Sequence, residues 1–163
     1  MGKEIERKWL LKQGIDINAL VDKLPYQDIK DYYFNDYCRL RNVAGEWYIT
    51  IKSLGDLVRD EYEFPVCKED IDFIPAPILR KRRYFYDKDG YTYEINVFQD
   101  LYVNASKDNL VIVELELPSL SSTITLPDFC GIEVTHKKEL YGYNLFQLEE
   151  HTVLKSAKIT LCI

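Results

Sequence analysis

The segment of residues 4–8, with the sequence EIERK, constrains the fold more than any other part of the chain. Side chains of an extended strand alternate, so Glu4, Glu6 and Lys8 share one face while Ile5 and Arg7 lie on the other. The same kind of charged face recurs at Arg39/Arg41, Lys52, Glu61/Glu63, Lys81/Arg83 and Glu114/Glu116. A fold that repeatedly directs both signs of charge to one sheet face indicates a site for a polyanion and its metal ions.

The length and net charge of the chain indicate one domain and argue against some classes of binding partner. The chain has 163 residues, 47% of them hydrophobic, which is enough for the core of one domain spanning residues 1–163. Its formal net charge of -6 argues against broad binding to nucleic acid or to an anionic membrane. Charged residues interrupt the N-terminus, and no apolar run could span a bilayer, so we expect a cytoplasmic protein.

Alternation, rather than helical periodicity, dominates the chain and predicts a large antiparallel sheet. The predicted strands are 3–11, 31–41, 46–53, 57–66, 79–87, 91–99, 109–117 and 131–136. Turn sequences at Ala44-Gly45, Leu54-Gly55-Asp56 and Lys88-Asp89-Gly90 predict hairpins between neighbouring strands. The sheet should therefore be rich in meanders.

Few helices are expected. One should follow a cap at Asp16 and end before Pro25, and weaker candidates are Lys68 to Ile74 and Tyr143 to Glu150. Residues 153–163 could form either an added strand or a docked tail. If helices cover the apolar faces of the sheet, its charged faces line an interior channel.

Simpler interpretations apply to several of these features. A single strand with one charged face is usually half buried with its charges in water, but the recurrence of such faces weakens that interpretation. The basic run from Arg80 to Arg83 resembles a nucleic-acid patch, yet strand alternation directs Lys81 and Arg83 to one side and Arg80 and Arg82 to the other. His136 and His151 have no partner at metal-binding spacing, and neither is assigned a role.

The convergent charges fit a chain of phosphates with a hard cation. Forked arginines and lysines suit phosphate oxygens, and Mg²⁺ or Mn²⁺ prefers carboxylate oxygens. The candidate phosphate ligands are Lys8, Arg39, Arg41, Lys52, Lys81 and Arg83, and the candidate metal ligands are Glu4, Glu6, Glu61, Glu63, Glu114 and Glu116. No Walker loop is present, so such a site would consist of side chains.

Seven motifs in order resemble one family. Glu4-Ile5-Glu6-Arg7-Lys8 matches the ExExK signature of the CYTH family, also called triphosphate tunnel metalloenzymes. The later motifs are Arg39-Leu40-Arg41, Thr50-Ile51-Lys52, Glu61-Tyr62-Glu63, Lys81-Arg82-Arg83-Tyr84, Glu114-Leu115-Glu116-Leu117 and Gly131-Ile132-Glu133-Val134-Thr135. The resemblance covers roughly residues 3–148. It implies an α+β fold, an eight-stranded antiparallel closed β-barrel with a polar interior and a few helices packed outside, that binds triphosphate and one or two divalent ions.

The resemblance makes a metal-dependent hydrolase of inorganic triphosphate the leading hypothesis. Lys8, Lys52, Glu61 and Glu63 are the candidate catalytic residues, with the two glutamates placing a second metal ion or the attacking water. A class IV-type adenylate cyclase, a thiamine triphosphatase and a non-enzymatic triphosphate-binding module are the alternatives. The expected partner is a triphosphate-containing small molecule, without nucleic acid or membrane, and a homodimer is left open.

One position departs from the family pattern. Relatives usually carry aspartate in a D-V-F segment, where this chain has Asn96-Val97-Phe98. The asparagine removes a negative charge from the charged face. If a metal ion or a cation is its nearest neighbour, Asn96→Asp should increase activity.

Overall fold

The computed structural model of the chain describes residues 2–71, 78–103, 108–151 and 157–159, with the backbone alone described for 149–151 and 157–159. The strands are β1 Gly2–Leu11, β2 Tyr26–Asn35, β3 Cys38–Val43, β4 Glu46–Lys52, β5 Val58–Val66, β6 Leu79–Lys88, β7 Tyr91–Val103, β8 Asp108–Glu116, β9 Cys130–Glu133 and β10 Ala157–Ile159. The α-helices are α1 Ile17–Val21 and α2 Gly142–His151, and single 3-10 turns lie at Lys68–Asp70 and Lys138–Leu140.

Strands β1 to β8 form the closed antiparallel barrel that the family resemblance implied. Neighbouring strands follow the order β7-β6-β2-β3-β4-β5-β1-β8, and pairing of β7 with β8 closes the ring. Two meanders, β2 to β5 and β6 to β8, account for most of it, as the hairpin signals predicted. In the described part of the chain, β9 pairs with β1 outside the ring and β10 runs parallel to β7.

The predicted strand 31–41 is wrong, because it spans two strands of the barrel. The chain reverses between β2 and β3, and Asn35 pairs with Cys38 across the turn. The Asn35 side chain accepts a hydrogen bond from the Tyr37 backbone N–H at 2.8 Å. An asparagine side chain satisfies the backbone of a tight turn in this way, so no glycine or proline is needed.

The predicted strand 131–136 is also wrong in extent and in place. The part that forms a strand is β9, which lies beside β1 and is not one of the eight barrel strands. Beyond β9, the Thr135 hydroxyl accepts the hydrogen bond from the Lys8 backbone N–H at 3.1 Å. A side chain thus replaces the backbone ladder, and the strand ends.

Backbone angles confirm two of the predicted hairpin turns. Ala44 and Gly45 have φ values of 52° and 94°, and Asp89 and Gly90 have 52° and 80°. Two successive positive φ values match the right-handed twist of paired strands, which is why glycine follows a small or polar residue at both turns.

The helices cover apolar surface at two places. The Asp16 carboxylate caps α1 by accepting hydrogen bonds from the backbone N–H groups of Asn18 and Ala19. This helix packs Val21 against buried side chains of β1, β7 and β8, including Trp9. Helix α2 packs Leu145 and Phe146 into a second cluster at one end of the barrel.

The predictions for Lys68 to Ile74 and for the tail can be compared with the structure only in part. Of the predicted helix Lys68 to Ile74, the described part forms only the 3-10 turn at Lys68–Asp70, and residues 72–77 lie outside the described residues. In the tail, residues 157–159 form an added strand, and residues 153–156 and 160–163 lie outside the described ranges. Neither described α-helix is long and apolar enough to cross a membrane.

Candidate active site

The inward faces of the barrel strands enclose a polar tunnel cavity of about 420 Å³. The barrel strands contribute the cations Lys8, Arg39, Arg41, Lys52, Arg59, Lys81 and Arg83 and the carboxylates Glu4, Glu6, Asp31, Glu61, Glu63, Glu94, Glu114 and Glu116. Asp36, Asp56 and Lys138 line the same cavity from outside these strands. Every candidate site residue from the sequence lines this one cavity. Strand alternation and barrel closure together bring these charges to a single interior.

The basic run at the start of β6 is divided between the two sides of the barrel wall, as alternation predicted. Lys81 and Arg83 line the tunnel. Arg82 instead lies outside, where its guanidinium donates to both carboxylate oxygens of Asp28 at 2.7 and 3.1 Å and stacks over the Tyr26 ring. Four adjacent basic residues therefore do not form one surface patch.

Three cations contact the two glutamates of the ExExK motif. Arg59 Nη2 lies 3.1 Å from Glu4 Oε2 and 3.1 Å from Glu6 Oε2. Lys52 Nζ lies 3.0 Å from Glu4 Oε2, and Lys8 Nζ lies 2.9 Å from Glu6 Oε2. These carboxylates therefore face cations from β1, β4 and β5.

Glu114 accepts hydrogen bonds from three different side chains of the tunnel. It accepts from Lys8 Nζ at 2.8 Å, from Arg83 Nη2 at 3.0 Å and from Asn96 Nδ2 at 2.9 Å. Burial alone would raise the pKa of Glu114, but the cations around it, first Lys8, hold that pKa well below its usual value. Glu114 therefore neutralises Lys8 and Arg83 and has little capacity left for a metal ion.

Arg41 is fixed by a carboxylate that sequence analysis did not identify. Its guanidinium donates to both oxygens of Asp31 at 2.7 and 2.8 Å, and Asp31 is 1% exposed. Burial opposes ionisation of Asp31, but Arg41 holds its pKa below the usual value. The pair places a fixed guanidinium in the tunnel wall.

Two tunnel cations on the barrel strands have no carboxylate within ion-pair distance among the described residues. Arg39 donates from Nη1 to the Tyr33 hydroxyl at 3.4 Å, and its buried Nε has no hydrogen-bond partner. The ammonium of Lys81 lies 5.6 Å from the centre of the Phe98 ring. Burial, reinforced by the charge of Arg83, lowers the pKa of Lys81 to about 7. These two groups have unused capacity to bind an anion.

The carboxylates at the ExExK end have the donor chemistry of a divalent-metal site. Burial, and then the negative charges of Glu4, Glu6 and Glu61, raise the pKa of Glu116. Mutual repulsion of this kind is relieved by a cation, and carboxylate oxygen is the preferred donor for Mg²⁺ and Mn²⁺. Among the described residues, however, no three such side chains already lie where they could together hold a metal ion.

The remaining candidate, Glu63, lies at the rim of the tunnel. It is exposed, and its Oε2 accepts a hydrogen bond from the Thr50 hydroxyl at 3.0 Å. The next inward residue of β5, Glu61, lies deeper, with Oε2 2.6 Å from Lys52 Nζ. The two glutamates therefore differ in surroundings, and Glu61 is the one beside the ExExK carboxylates.

Three further charged residues on the strands that line the tunnel were missed. Alternation back from Glu61 and Glu63 would have placed Arg59 on the same face, and the polar face that carries Asn96 also carries Glu94. Asp31 could not be paired with Arg41 from sequence, because the prediction of one strand over 31–41 removed the hairpin that makes these two residues neighbours.

Asn96 lies at the centre of the charge network and is completely buried. Its side-chain oxygen accepts from Arg83 Nε at 2.9 Å, while its amide nitrogen donates to Glu114 Oε2 at 2.9 Å. Its neighbours are thus a cation and a carboxylate, and only the amide satisfies both. The premise that a cation alone decides the effect of Asn96→Asp is therefore incomplete.

Comparison with known proteins identifies relatives over most of the chain. No family model matches it. It is 30% identical over 152 residues to an inorganic triphosphatase from Acetivibrio thermocellus, an alignment that covers 89% of this chain and 94% of that protein.

Solved structures agree in fold. The inorganic triphosphatase NE1496 has a TM-score of 0.59 and 26% identity, covering 90% of this chain and 95% of that one. A putative adenylate cyclase from Bacillus halodurans has a TM-score of 0.53 at 14% identity, covering 73% of this chain and 83% of that one. The second likeness shows the fold alone.

Proposed function

Since this chain belongs to the CYTH family of triphosphate tunnel metalloenzymes, we propose that it hydrolyses inorganic triphosphate to diphosphate and orthophosphate, with Mg²⁺ or Mn²⁺ as cofactor. The whole-length similarity to inorganic triphosphatases supports the substrate, and the tunnel charges support the mode of binding. We also propose that it acts in the cytoplasm.

The observation that carries this proposal is a pair of tunnel cations, Arg39 and Lys81, to which the described residues offer no carboxylate within ion-pair distance. Burying a cation that makes no direct ion pair is costly, so Arg39 and Lys81 favour an anionic ligand in the cavity. An arginine cannot lose its charge in a protein, so the cost at Arg39 is not removed by deprotonation. Arg41, Lys8, Lys52 and Arg83 already face carboxylates and would complete the clamp on the phosphate chain.

The metal-ligand set that we favour is narrower than the one expected from sequence. The favoured ligands are Glu116 and the three carboxylates whose charges raise its pKa, Glu4, Glu6 and Glu61. Glu114 is less suitable, because it already accepts hydrogen bonds from three donors. Glu63 remains a candidate at the rim. A bound Mg²⁺ or Mn²⁺ would act as a Lewis acid that screens the phosphate oxygens and lowers the charge opposing nucleophilic attack.

The reaction that we propose is in-line attack by water on a terminal phosphorus atom. The water oxygen forms the new bond, the bridging P–O bond breaks, and diphosphate leaves with the electron pair. Where Glu61 does not itself hold the metal ion, it would orient the attacking water and accept its proton, and Glu63 would assist from the rim. Lys8 and Lys52 would stabilise the charge that develops on the transferred and leaving phosphates.

A product assay with the purified full-length chain tests this function. The protein is incubated with Mg²⁺ or Mn²⁺ and offered inorganic triphosphate, ATP or thiamine triphosphate, and all products are identified by phosphorus NMR. We expect diphosphate and orthophosphate from inorganic triphosphate at the highest kcat/KM. Cyclic AMP from ATP, a preference for thiamine triphosphate, or tight binding of triphosphate without turnover would each refute the proposal in favour of a different function.

A further inference from the structure

Arg59 is placed directly against the two acidic residues of the ExExK motif by the pairing of β1 with β5. Glu4 and Arg59 are cross-strand partners, and the Arg59 guanidinium also reaches Glu6. One nitrogen, Nη2, lies 3.1 Å from an oxygen of each carboxylate. A single positive charge therefore bridges two carboxylates, as a divalent ion held by the same oxygens would.

The turn between β4 and β5 accommodates the aliphatic part of Arg59. Gly55 has a φ of 150°, and a Cβ built there would lie 3.1 Å from Arg59 Cγ and 2.2 Å from the Val58 carbonyl oxygen. Only glycine allows this close approach. The stem of Arg59 is thus supported while its guanidinium lies in the tunnel, with the side chain only 15% exposed.

We propose that Arg59 is the internal counter-ion of Glu4 and Glu6, that a divalent metal ion must displace it from these carboxylates, and that the displaced guanidinium then binds substrate phosphate. This inference rests on the metal dependence in the proposed function. Arg59 remains charged at any working pH, so the competition is permanent and cannot be relieved by loss of a proton. Glu4, Glu6 and Arg59 all line the same cavity, so the guanidinium has phosphate oxygens within the tunnel as alternative partners.

The proposal predicts opposite effects of one substitution on two ligands. Arg59→Gln removes the competing charge, so Mn²⁺ should bind at least about tenfold more tightly, because two charge-assisted contacts no longer have to be broken. The same substitution removes a phosphate ligand, so the KM for triphosphate should rise. A residue with a purely structural role would not tighten metal binding.

The experiment measures Mn²⁺ binding by electron paramagnetic resonance in the absence of substrate, on the full-length chain. Arg39→Gln is the matched control, because it removes one tunnel guanidinium that does not contact Glu4 or Glu6. Arg39→Gln therefore measures how much the loss of one positive charge changes Mn²⁺ affinity when no direct contact with Glu4 or Glu6 is lost. Arg59→Met, which keeps the aliphatic stem that packs at Gly55, provides a second variant if Arg59→Gln does not fold.

We expect both Arg59 variants to bind Mn²⁺ more tightly than the wild type and than Arg39→Gln. If the wild type hydrolyses triphosphate with Mn²⁺ but the Arg59 variants bind Mn²⁺ no more tightly than Arg39→Gln, the counter-ion role is refuted and the proposed function stands. If the wild type neither binds Mn²⁺ nor requires a metal ion for turnover, the metal dependence and the counter-ion role are both refuted.

Discussion

The Asn96→Asp substitution changes one atom group at the centre of the charge network. The asparagine amide donates to Glu114 Oε2 at 2.9 Å, and two further contacts, to the backbone oxygens of Glu94 and Ile112, are 3.3 and 3.4 Å long. A carboxylate in its place would turn oxygen toward all three acceptors. Only Arg83, which donates to the asparagine oxygen at 2.9 Å, would favour the new charge.

The magnitude follows from these distances. Two unit charges about 3 Å apart repel by about 5 kcal/mol at an effective dielectric constant of about 20. The lost amide bond to Glu114 adds about 1.5–3 kcal/mol. Attraction to Arg83 offsets part of this cost, but that guanidinium already pairs with Glu94 and Glu114. We expect a net loss of about 2–4 kcal/mol in the free energy of unfolding near neutral pH.

The pH dependence has a definite sign. Burial and the neighbouring Glu114 carboxylate both disfavour a second anion, so the introduced aspartate should have a pKa above its unfolded value of about 3.9. The variant then loses little stability below that value, and its deficit grows as the pH rises toward the pKa in the folded state. Activity near neutral pH should fall, the reverse of the direction expected from sequence.

Urea unfolding of wild type and Asn96→Asp at about pH 5 and about pH 8 measures this difference. Asn109→Asp is the control, because the Asn109 amide donates to the backbone oxygens of Phe98 and Gln99 and, among the described residues, to no carboxylate. Its stability should depend less on pH. A deficit for Asn96→Asp that is equal at the two pH values, or a more active variant, would refute the argument.

Three further predictions concern the metal ion, Lys81 and Asp31. Chelating divalent metal should abolish turnover, and full activity in a metal-free preparation would exclude the proposed metal-dependent mechanism. Glu6→Gln should lower kcat by at least about 100-fold and leave the circular dichroism spectrum unchanged. Because burial and Arg83 lower the pKa of Lys81 to about 7, triphosphate affinity should decrease as the pH rises through that value. Lys81→Arg should remove this dependence in calorimetric titrations, since arginine keeps its charge. The same pH profile in both proteins would contradict the claim that Lys81 binds the phosphate in its charged form. Asp31→Asn should lower the free energy of unfolding by about 3–5 kcal/mol, because it leaves the buried Arg41 unpaired. Asp28→Asn, at the exposed pair with Arg82, should lower it by about 0–1 kcal/mol. Similar losses for the two variants in urea unfolding would refute this difference between the buried and the exposed ion pair.

Alternation in the sequence was sufficient to predict most of the charged strand residues that line the tunnel. The position of a residue along a strand fixes the face to which its side chain points, so Lys81 and Arg83 could be separated from Arg82 before their strand partners were known. The closed barrel came from the family resemblance, because alternation does not specify which strands are neighbours.

Partners within the tunnel could not be predicted, because they depend on register between strands distant in sequence. Arg59 contacts Glu4 because β5 pairs with β1, and Asp31 reaches Arg41 only across an unpredicted hairpin. Both contacts change the roles of residues that were identified correctly. Arg41 is fixed by a carboxylate, whereas Arg39 has unused hydrogen-bonding capacity.

The triphosphate dissociation constants of Arg82→Ala and Arg83→Ala test most directly the central claim that the inward face of the barrel binds the substrate. The two residues are adjacent in β6, but Arg83 lines the tunnel and Arg82 pairs with Asp28 outside it. Isothermal titration with triphosphate should show binding weakened by at least about tenfold for Arg83→Ala and nearly unchanged for Arg82→Ala. Equal losses in the two variants would contradict the claim that the tunnel is the binding site.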